Sequence, residues 1–313
     1  MENLNHFVSS RGIIKLCSNH NIIPVSGSLT IDQDLLQKEN PPKTVYICTE
    51  ALLNFSVNFL NLISNPFTLV SGDSDTSLSA DIINSPLIQN ILTNKNLIAW
   101  FAQNLATSHP KIHPLPIGMD YHTMWNNPGF WGINKQSPIS QEFSLIKILS
   151  ESTALNKRAL LCYCNWQFAL HRGDRTECYE KINKDTCFFE KHQTSRISGW
   201  QRQSQFAFVI SPFGEGLDCH RTWEALLLGC IPIVRRSPID ELFVDLPVLI
   251  VNDWSEISEP YLTQAFLNFS NRLFDFNSLF TDYWRSKING QDNRPLPPMT
   301  IEHFKEFICQ SSC

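Results

Sequence analysis

The stretch FAFVISPFGEGLDCHRTWEALLLGCIPIV, Phe206 to Val234, limits the fold more than any other part of the chain. It opens on an apolar run of strand length and turns at Gly214 and Gly216. A helical pattern, HRTWEALLL, follows and stops at Gly229; a second apolar run, CIPIV, closes it. Asp218 stands where a helix N-cap is expected and Gly229 where a helix ends. Strand, glycine turn, helix and strand form the repeating unit of a parallel sheet, because the helix returns the chain to the end where it started. A helix start presents free N–H groups and the positive end of the dipole, and glycines let backbone approach closely, so the expected ligand is a phosphate. Glu224 lies one turn further on. A carboxylate there repels phosphate at close range and suits the vicinal hydroxyls of a ribose. Phosphates at the helix head and ribose at Glu224 describe a nucleoside diphosphate. There is no third glycine of a G-x-G-x-x-G fingerprint and no P-loop lysine. The glycines alone are also compatible with a plain strand-to-helix turn and a solvent-facing Glu224.

The rest of the chain alternates in the same way. VYICTE (Val45 to Glu50) reads as a strand, ALLNFSVNFLNLIS as an amphipathic helix, and FTLVSGDSD (Phe67 to Asp75) as a strand running into a polar loop. LIAWFAQN and KIHPLPIG read as two further strands. A turn-rich stretch, NNPGFWGINKQSP (Asn126 to Pro138), precedes a helix to about Ser150. Then ALLCYCNW, CFFEK, FAFVISP, CIPIV and LPVLIV read as strands, with helices over DRTECYEKI, ISGWQRQS and HRTWEALLL. The expected class is α/β, with two Rossmann-like domains facing each other across a cleft. The expected limits are 1–145 for the first domain, 146–285 for the second, and 286–313 for a helical tail packing back on the first.

A chain of 313 residues with 42% hydrophobic and 18% charged residues is globular and long enough for two domains. Its formal net charge is −5 and it has no Lys/Arg run, which argues against nucleic acid and anionic membrane surfaces as partners. An anionic ligand must be held by local cations and backbone N–H groups. The N-terminal MENLNHFVSSRGIIKLCSNHN lacks the uninterrupted apolar core of a signal peptide, and no apolar run approaches the roughly 20 residues of a membrane helix. A soluble, cytoplasmic protein is expected. The ten cysteines have no framework spacing and read as reduced thiols; Cys162 and Cys164 read as buried strand thiols rather than zinc ligands.

The segment from Ser211 to Val234 resembles the signature of the exostosin-like glycosyltransferases, above all the soluble bacterial and viral branch whose loop reads S-P-x-G-x-G-L-D-x-x-R-x-W-E-A. SGDSD (Ser71 to Asp75) and LPIGMDYHT (Leu115 to Thr123) are similar to segments of the same proteins, and the likeness spans residues 45 to 255. The resemblance implies a GT-B fold, a nucleotide-sugar donor held mainly by the second domain, and inverting transfer without an essential metal. It places Glu224 at the donor ribose, favours UDP as the nucleotide, and makes xylose the first sugar to test; a GDP-sugar is the alternative. The acceptor it implies is a hydroxyl of a glycan or glycopeptide. Animal exostosins carry a membrane anchor; none is expected here, so glycosaminoglycan substrates are not implied. The location expected is the cytoplasm, that of the host if the source is viral.

The expected donor set is Ser211, Gly214, Glu215, Gly216, Arg221 and Glu224, joined by Arg172 and Arg175 of HRGDR, because arginine suits bidentate phosphate binding. Glu215 is an acid near the phosphate position, where it either steers against an anionic sugar or points to solvent. Inverting transfer needs a base from the first domain. Asp73, at the carboxyl end of a parallel strand, is the expected base, with Asp75 as its partner. Asp120 and His122 follow another strand and face acceptor or donor; His122 is the second-choice base. Asp73 and Asp75 also read as a metal-binding D-x-D, but the glycine turn and helix already fill that role, so neither metal nor cofactor is expected beside the UDP-sugar co-substrate. Two other readings stay open: a nucleotide-sugar-binding protein without catalysis, and an enzyme of another type, such as an epimerase, using the same donor site.

Overall fold

The computed structural model describes residues 2–127, 129, 135–292 and 294–311; the middle of the turn-rich stretch, 128 and 130–134, lies outside them. Four parallel strands form the first sheet: β1 (Thr44–Cys48), β2 (Phe67–Gly72), β3 (Leu97–Ala102) and β4 (Ile112–Pro114), in spatial order β1-β2-β3-β4. They are apolar on both faces, as strands covered on both sides must be. Every step of this sheet runs in one direction. Right-handed crossovers then place the connecting helices on one face. These are α2 (Leu52–Asn58), α3 (Ala80–Ile83) and α4 (Pro86–Thr93), and α2 packs on β1 and on α4. Val45, Ile47, Leu69 and Trp100 bury against that layer. The alternate residues Tyr46, Val70 and Phe101 face the other way, into a core shared with Phe7, Val8 and Ile13. Both ends of the chain cover this second face: α1 (Ser10–Ile14), started by Ser9 Oγ accepting from Gly12 N, and later a helix over Thr281–Asn289.

After the short α5 (His122–Asn126), α6 (Pro138–Glu151) leads to the second sheet. Its five parallel strands are β5 (Ala159–Cys164), β6 (Cys187–Phe189), β7 (Phe206–Ile210), β8 (Ile231–Arg235) and β9 (Leu249–Val251), in spatial order β6-β5-β7-β8-β9. Around them run α7 (Arg175–Lys181), α8 (Arg196–Gln203), α9 (His220–Leu227) and α10 (Glu259–Ser270). The direction of travel reverses between β5 and β7. That reversal is a topological switch point, where an open parallel sheet leaves a crevice beyond its carboxyl ends. The glycine turn after β7 and the HRGDR loop after β5 meet there. Gly229 ends α9 in the left-handed region, at φ +66°. Asp218 is not the N-cap that its position suggests. Cys219 holds that place, without a side-chain cap bond, and Asp218 is turned inward.

The chain then returns. The helix α11 (Thr281–Asn289) packs on α1 and β2, and α12 (Ile301–Ser311) packs on α6. Phe304 of α12 stacks on Phe276 at 4.1 Å, and Lys305 Nζ donates to Ser152 O. The expected limits at 145/146 and 285/286 both fall inside helices, α6 and α11, so the connections are rigid elements rather than loose linkers. The carboxyl ends of the two sheets point at each other and are bonded across. Ile117 N donates to Asp218 Oδ2 at 2.7 Å, Asp218 N donates to Asn104 Oδ1 at 2.9 Å, and His220 Nδ1 lies 2.6 Å from Gly118 O. Two parallel α/β units opposed in this way are the GT-B arrangement that the resemblance implies. Among the described residues, no helix is long and apolar enough to cross a membrane.

Candidate functional site

The crevice at the switch point collects cations. Arg175 opens α7 just beyond β5 and is only 9% exposed. Its Nη1 reaches Ala169 O at 3.5 Å, and its Nε is buried with no hydrogen-bond partner among the described residues. Arg221, in the first turn of α9, donates from Nε to Asn165 Oδ1 at 3.1 Å and leaves Nη1 buried without a hydrogen-bond partner among the described residues. Neither forms an ion pair with a carboxylate among the described residues. Burial, and then the charge of Arg221, push Arg175 down to about 10. Two guanidinium groups held near each other without a counter-charge are unfavourable unless an anion joins them. Gly214 lies beside Arg175: a Cβ there would sit 3.5 Å from Arg175 Nη2. A Cβ at Gly216 would fall 2.7 Å from Asn104 Nδ2, so any side chain there would displace Asn104.

The other expected donor residues divide. Ser211 is buried and shares its hydroxyl with Thr222 Oγ1 at 2.8 Å, so it braces the turn from behind. Arg172 and Glu215 are about half exposed and face each other at 3.6 Å, a surface pair of small energetic weight. Glu224 is neither solvent-facing nor free. Its Oε1 accepts from Arg196 Nη2 at 2.7 Å and Nε at 3.2 Å, while Oε2 accepts no hydrogen bond among the described residues.

Asp73 sits at the end of β2 in the left-handed region, at φ 53°, and both carboxylate oxygens are engaged. Ser26 Oγ donates to Oδ1 at 2.7 Å, and Arg11 Nε lies 3.2 Å from Oδ2. Gly27 N also donates to its carbonyl, so the residue fastens the loop before β1. Both carboxylate oxygens of the expected base thus have partners within the first unit. Asp75 is exposed at the rim; partial burial raises its carboxyl, opposed by His220.

Asp120 and His122 form a different arrangement. His122 Nδ1 lies 3.1 Å from Asp120 Oδ1, within ion-pair distance although not aligned as a hydrogen bond. Burial alone would raise Asp120, but Arg196, then His220 and His122, hold it well below the usual carboxylate range. Burial lowers His122, with Arg11 and His220 acting the same way against Asp120 and Asp73. A neutral imidazole oriented by an ionised carboxylate is suited to take a proton. Among the described residues, no three His, Cys, Asp or Glu side chains come together as a metal site would need.

No protein-family model and no curated protein matches the chain. Solved structures with a similar chain path include the Methanocaldococcus jannaschii UDP-GlcNAc 2-epimerase in complex with UDP-GlcNAc and UDP, at 12% identity and TM-score 0.34, over 82% of this chain and 76% of that one. The α,α-trehalose 6-phosphate synthase from Burkholderia multivorans is 11% identical, at TM-score 0.37, over 89% and 74%. An α1,3-fucosyltransferase with GDP-fucose is 11% identical, at TM-score 0.33, over 96% of each chain. Likeness of this degree says nothing about chemistry, which rests on the residues themselves.

Three residues outside the expected donor and base set shape the site, one of them, His220, a residue of the helix head that can carry positive charge and adjoins Arg221 in sequence. Asn104 joins Ser74 O to Asp218 N across the cleft, His220 reaches Gly118 O, and Arg196 bridges Glu224 and Asp120. A signal for Arg196 exists. Arg196, Gly199, Trp200 and Gln203 recur at helical spacing and form the buried stripe of α8. An arginine on such a stripe requires a buried partner. Asn104 and His220 have no comparable periodic signal.

Asp218 adds a pH-dependent element. Burial raises it to about 6, although Ile117 N and Trp223 Nε1 both donate to it. Because its folded value lies above the unfolded one, its stabilising contribution is full below about pH 4 and is lost as pH rises through about 6. Glu2, pushed by burial to about 7, adds to the same slope. Asp218→Asn is therefore expected to flatten the fall in stability between pH 4 and 7 by roughly 2–3 kcal/mol, read from urea midpoints. Parallel wild-type and variant curves would contradict this assignment.

Proposed function

We propose that the protein is a glycosyltransferase that moves a sugar from a nucleoside diphosphate to an acceptor hydroxyl. The observation that supports this most is the pair of buried guanidinium N–H groups at the switch point, Arg175 Nε and Arg221 Nη1, which have no hydrogen-bond partner among the described residues, with Gly214 beside Arg175. Two cations and the start of α9 suit a diphosphate that must leave with its charge. The free Oε2 of Glu224, one turn along α9, suits a ribose hydroxyl. UDP is the proposed nucleotide and xylose the first sugar to test, with a GDP-sugar as the alternative.

The proposed chemistry is a single inverting displacement. His122, oriented by Asp120, takes the acceptor proton while the acceptor oxygen bonds to the anomeric carbon. The bond from that carbon to the diphosphate breaks, and Arg175 and Arg221 hold the departing oxygens. Asp73 is reassigned from base to anchor of the loop before β1. The acceptor is proposed to be a glycan or glycopeptide entering from the first sheet, past Asp75.

A thermal-shift panel with UDP, GDP, CDP and ADP, each with and without EDTA, tests the donor site. Ligand at about 100 times its Kd stabilises by roughly 2.7 kcal/mol. One selective, EDTA-insensitive shift is expected. No shift with any nucleotide would overturn the proposal, and a shift abolished by EDTA would restore the D-x-D reading.

A further inference from the structure

Arg196 is neither in the diphosphate pocket nor beside the base, yet it reaches toward both. It opens α8 behind the N-cap Ser195, and its side chain is 5% exposed. One edge of its guanidinium, Nε and Nη2, holds Glu224 Oε1 in the second unit. Its Nη1 donates to the carbonyl of Asp120 in the first unit, and Nη2 lies 3.8 Å from Asp120 Oδ2. The guanidinium lies 5.3 Å from the centre of the Trp200 ring, which further limits its movement. Asp120 Oδ1, the oxygen that Arg196 does not face, is the one directed at His122. Glu224 Oε2, the oxygen that Arg196 does not bond, is the one left for ligand.

We propose that Arg196 is a positioning residue that couples nucleotide binding in one unit to the orientation of the base in the other. This rests on the donor and base assignments above. A guanidinium is a rigid planar fork, so a shift of Glu224 toward a ribose is passed to Asp120 without a loose joint between them. Lysine, a point charge on a flexible stem, cannot hold both ends. The coupling crosses the cleft, so it operates only when the two units are set against each other as they are here.

The test follows two quantities in the full chain: UDP affinity by calorimetry, and the titration of His122 by imidazole NMR, assigned with His122→Ala. The charged and titratable groups around His122 are Asp120, Arg11, His220 and Asp73. Arg196→Gln removes the cation that competes for Asp120, so His122 is expected to titrate about half to one unit higher. UDP affinity is expected to fall about tenfold. Arg196→Lys is expected to return His122 to within about 0.3 unit of wild type while UDP binding stays weak, because it restores charge but not the fork. If Arg196→Gln does not fold, Glu224→Gln serves instead; it leaves Arg196 less neutralised and should lower the His122 titration. An unmoved His122 in the folded variants overturns the positioning role while leaving the donor site intact. A wild-type protein that binds no nucleotide overturns the donor assignment, and the coupling with it.

Discussion

Arg175→Met is expected to weaken UDP binding by about 10- to 100-fold, the worth of one charge-assisted hydrogen bond, while stability without ligand stays level or rises. The two halves of this result come from one feature. Arg175 is buried beside a second guanidinium, lacks a carboxylate partner, and leaves Nε unbonded. Its charge therefore costs free energy in the free protein, and a diphosphate offsets that cost. Methionine keeps the packing of the stem and removes the charge. An arginine placed for structure would behave in the opposite way, since removing one partner of a buried ion pair costs about 3–5 kcal/mol. Calorimetry with UDP and urea unfolding of the free protein decide between the two. Wild-type affinity in the variant, or a large loss of stability with affinity unchanged, would remove Arg175 from the site.

His122→Ala is expected to cut transfer by about 100-fold or more, with UDP affinity changed by less than about threefold. The readout is UDP released from the donor that binds, with the acceptor that speeds its release. The base must be unprotonated, so kcat/KM should fall as pH drops through the His122 value, which burial places below the ordinary 6.5. Asp120 raises His122, so Asp120→Asn should carry that acid limb to lower pH. Asp73→Asn is the control. It removes the charge that Arg11 faces and should lower stability, but in folded protein it should leave turnover within about tenfold of wild type. If Asp73→Asn abolishes turnover and His122→Ala does not, the base returns to Asp73.

The local order of this protein could be read from its sequence. Apolar runs of strand length, the helices between them, the glycine turn at 214–216 and the stop at Gly229 all follow from φ/ψ limits and from hydrophobic periodicity over a few residues. Parallel pairing follows too, because helix crossovers permit little else. Those rules also bring Arg175, Arg221 and Glu224 to the carboxyl ends of strands, where ligands bind.

What each side chain does there is a different matter. Sequence treats Asp73 and Asp120 alike, as acids in loops after strands. Only the tertiary structure gives the first to Arg11 and Ser26 and the second to His122 and Arg196. Asp218 likewise looks like a helix cap until Ile117 and Trp223 turn it inward. The reason is physical. Backbone geometry and apolar periodicity are properties of neighbours along the chain, whereas the partner of a buried charge is set by which elements pack. Arg196 finds Glu224 28 residues away and Asp120 76 residues away. No local spacing encodes contacts of that range, and they decide which buried charges have a partner and which do not.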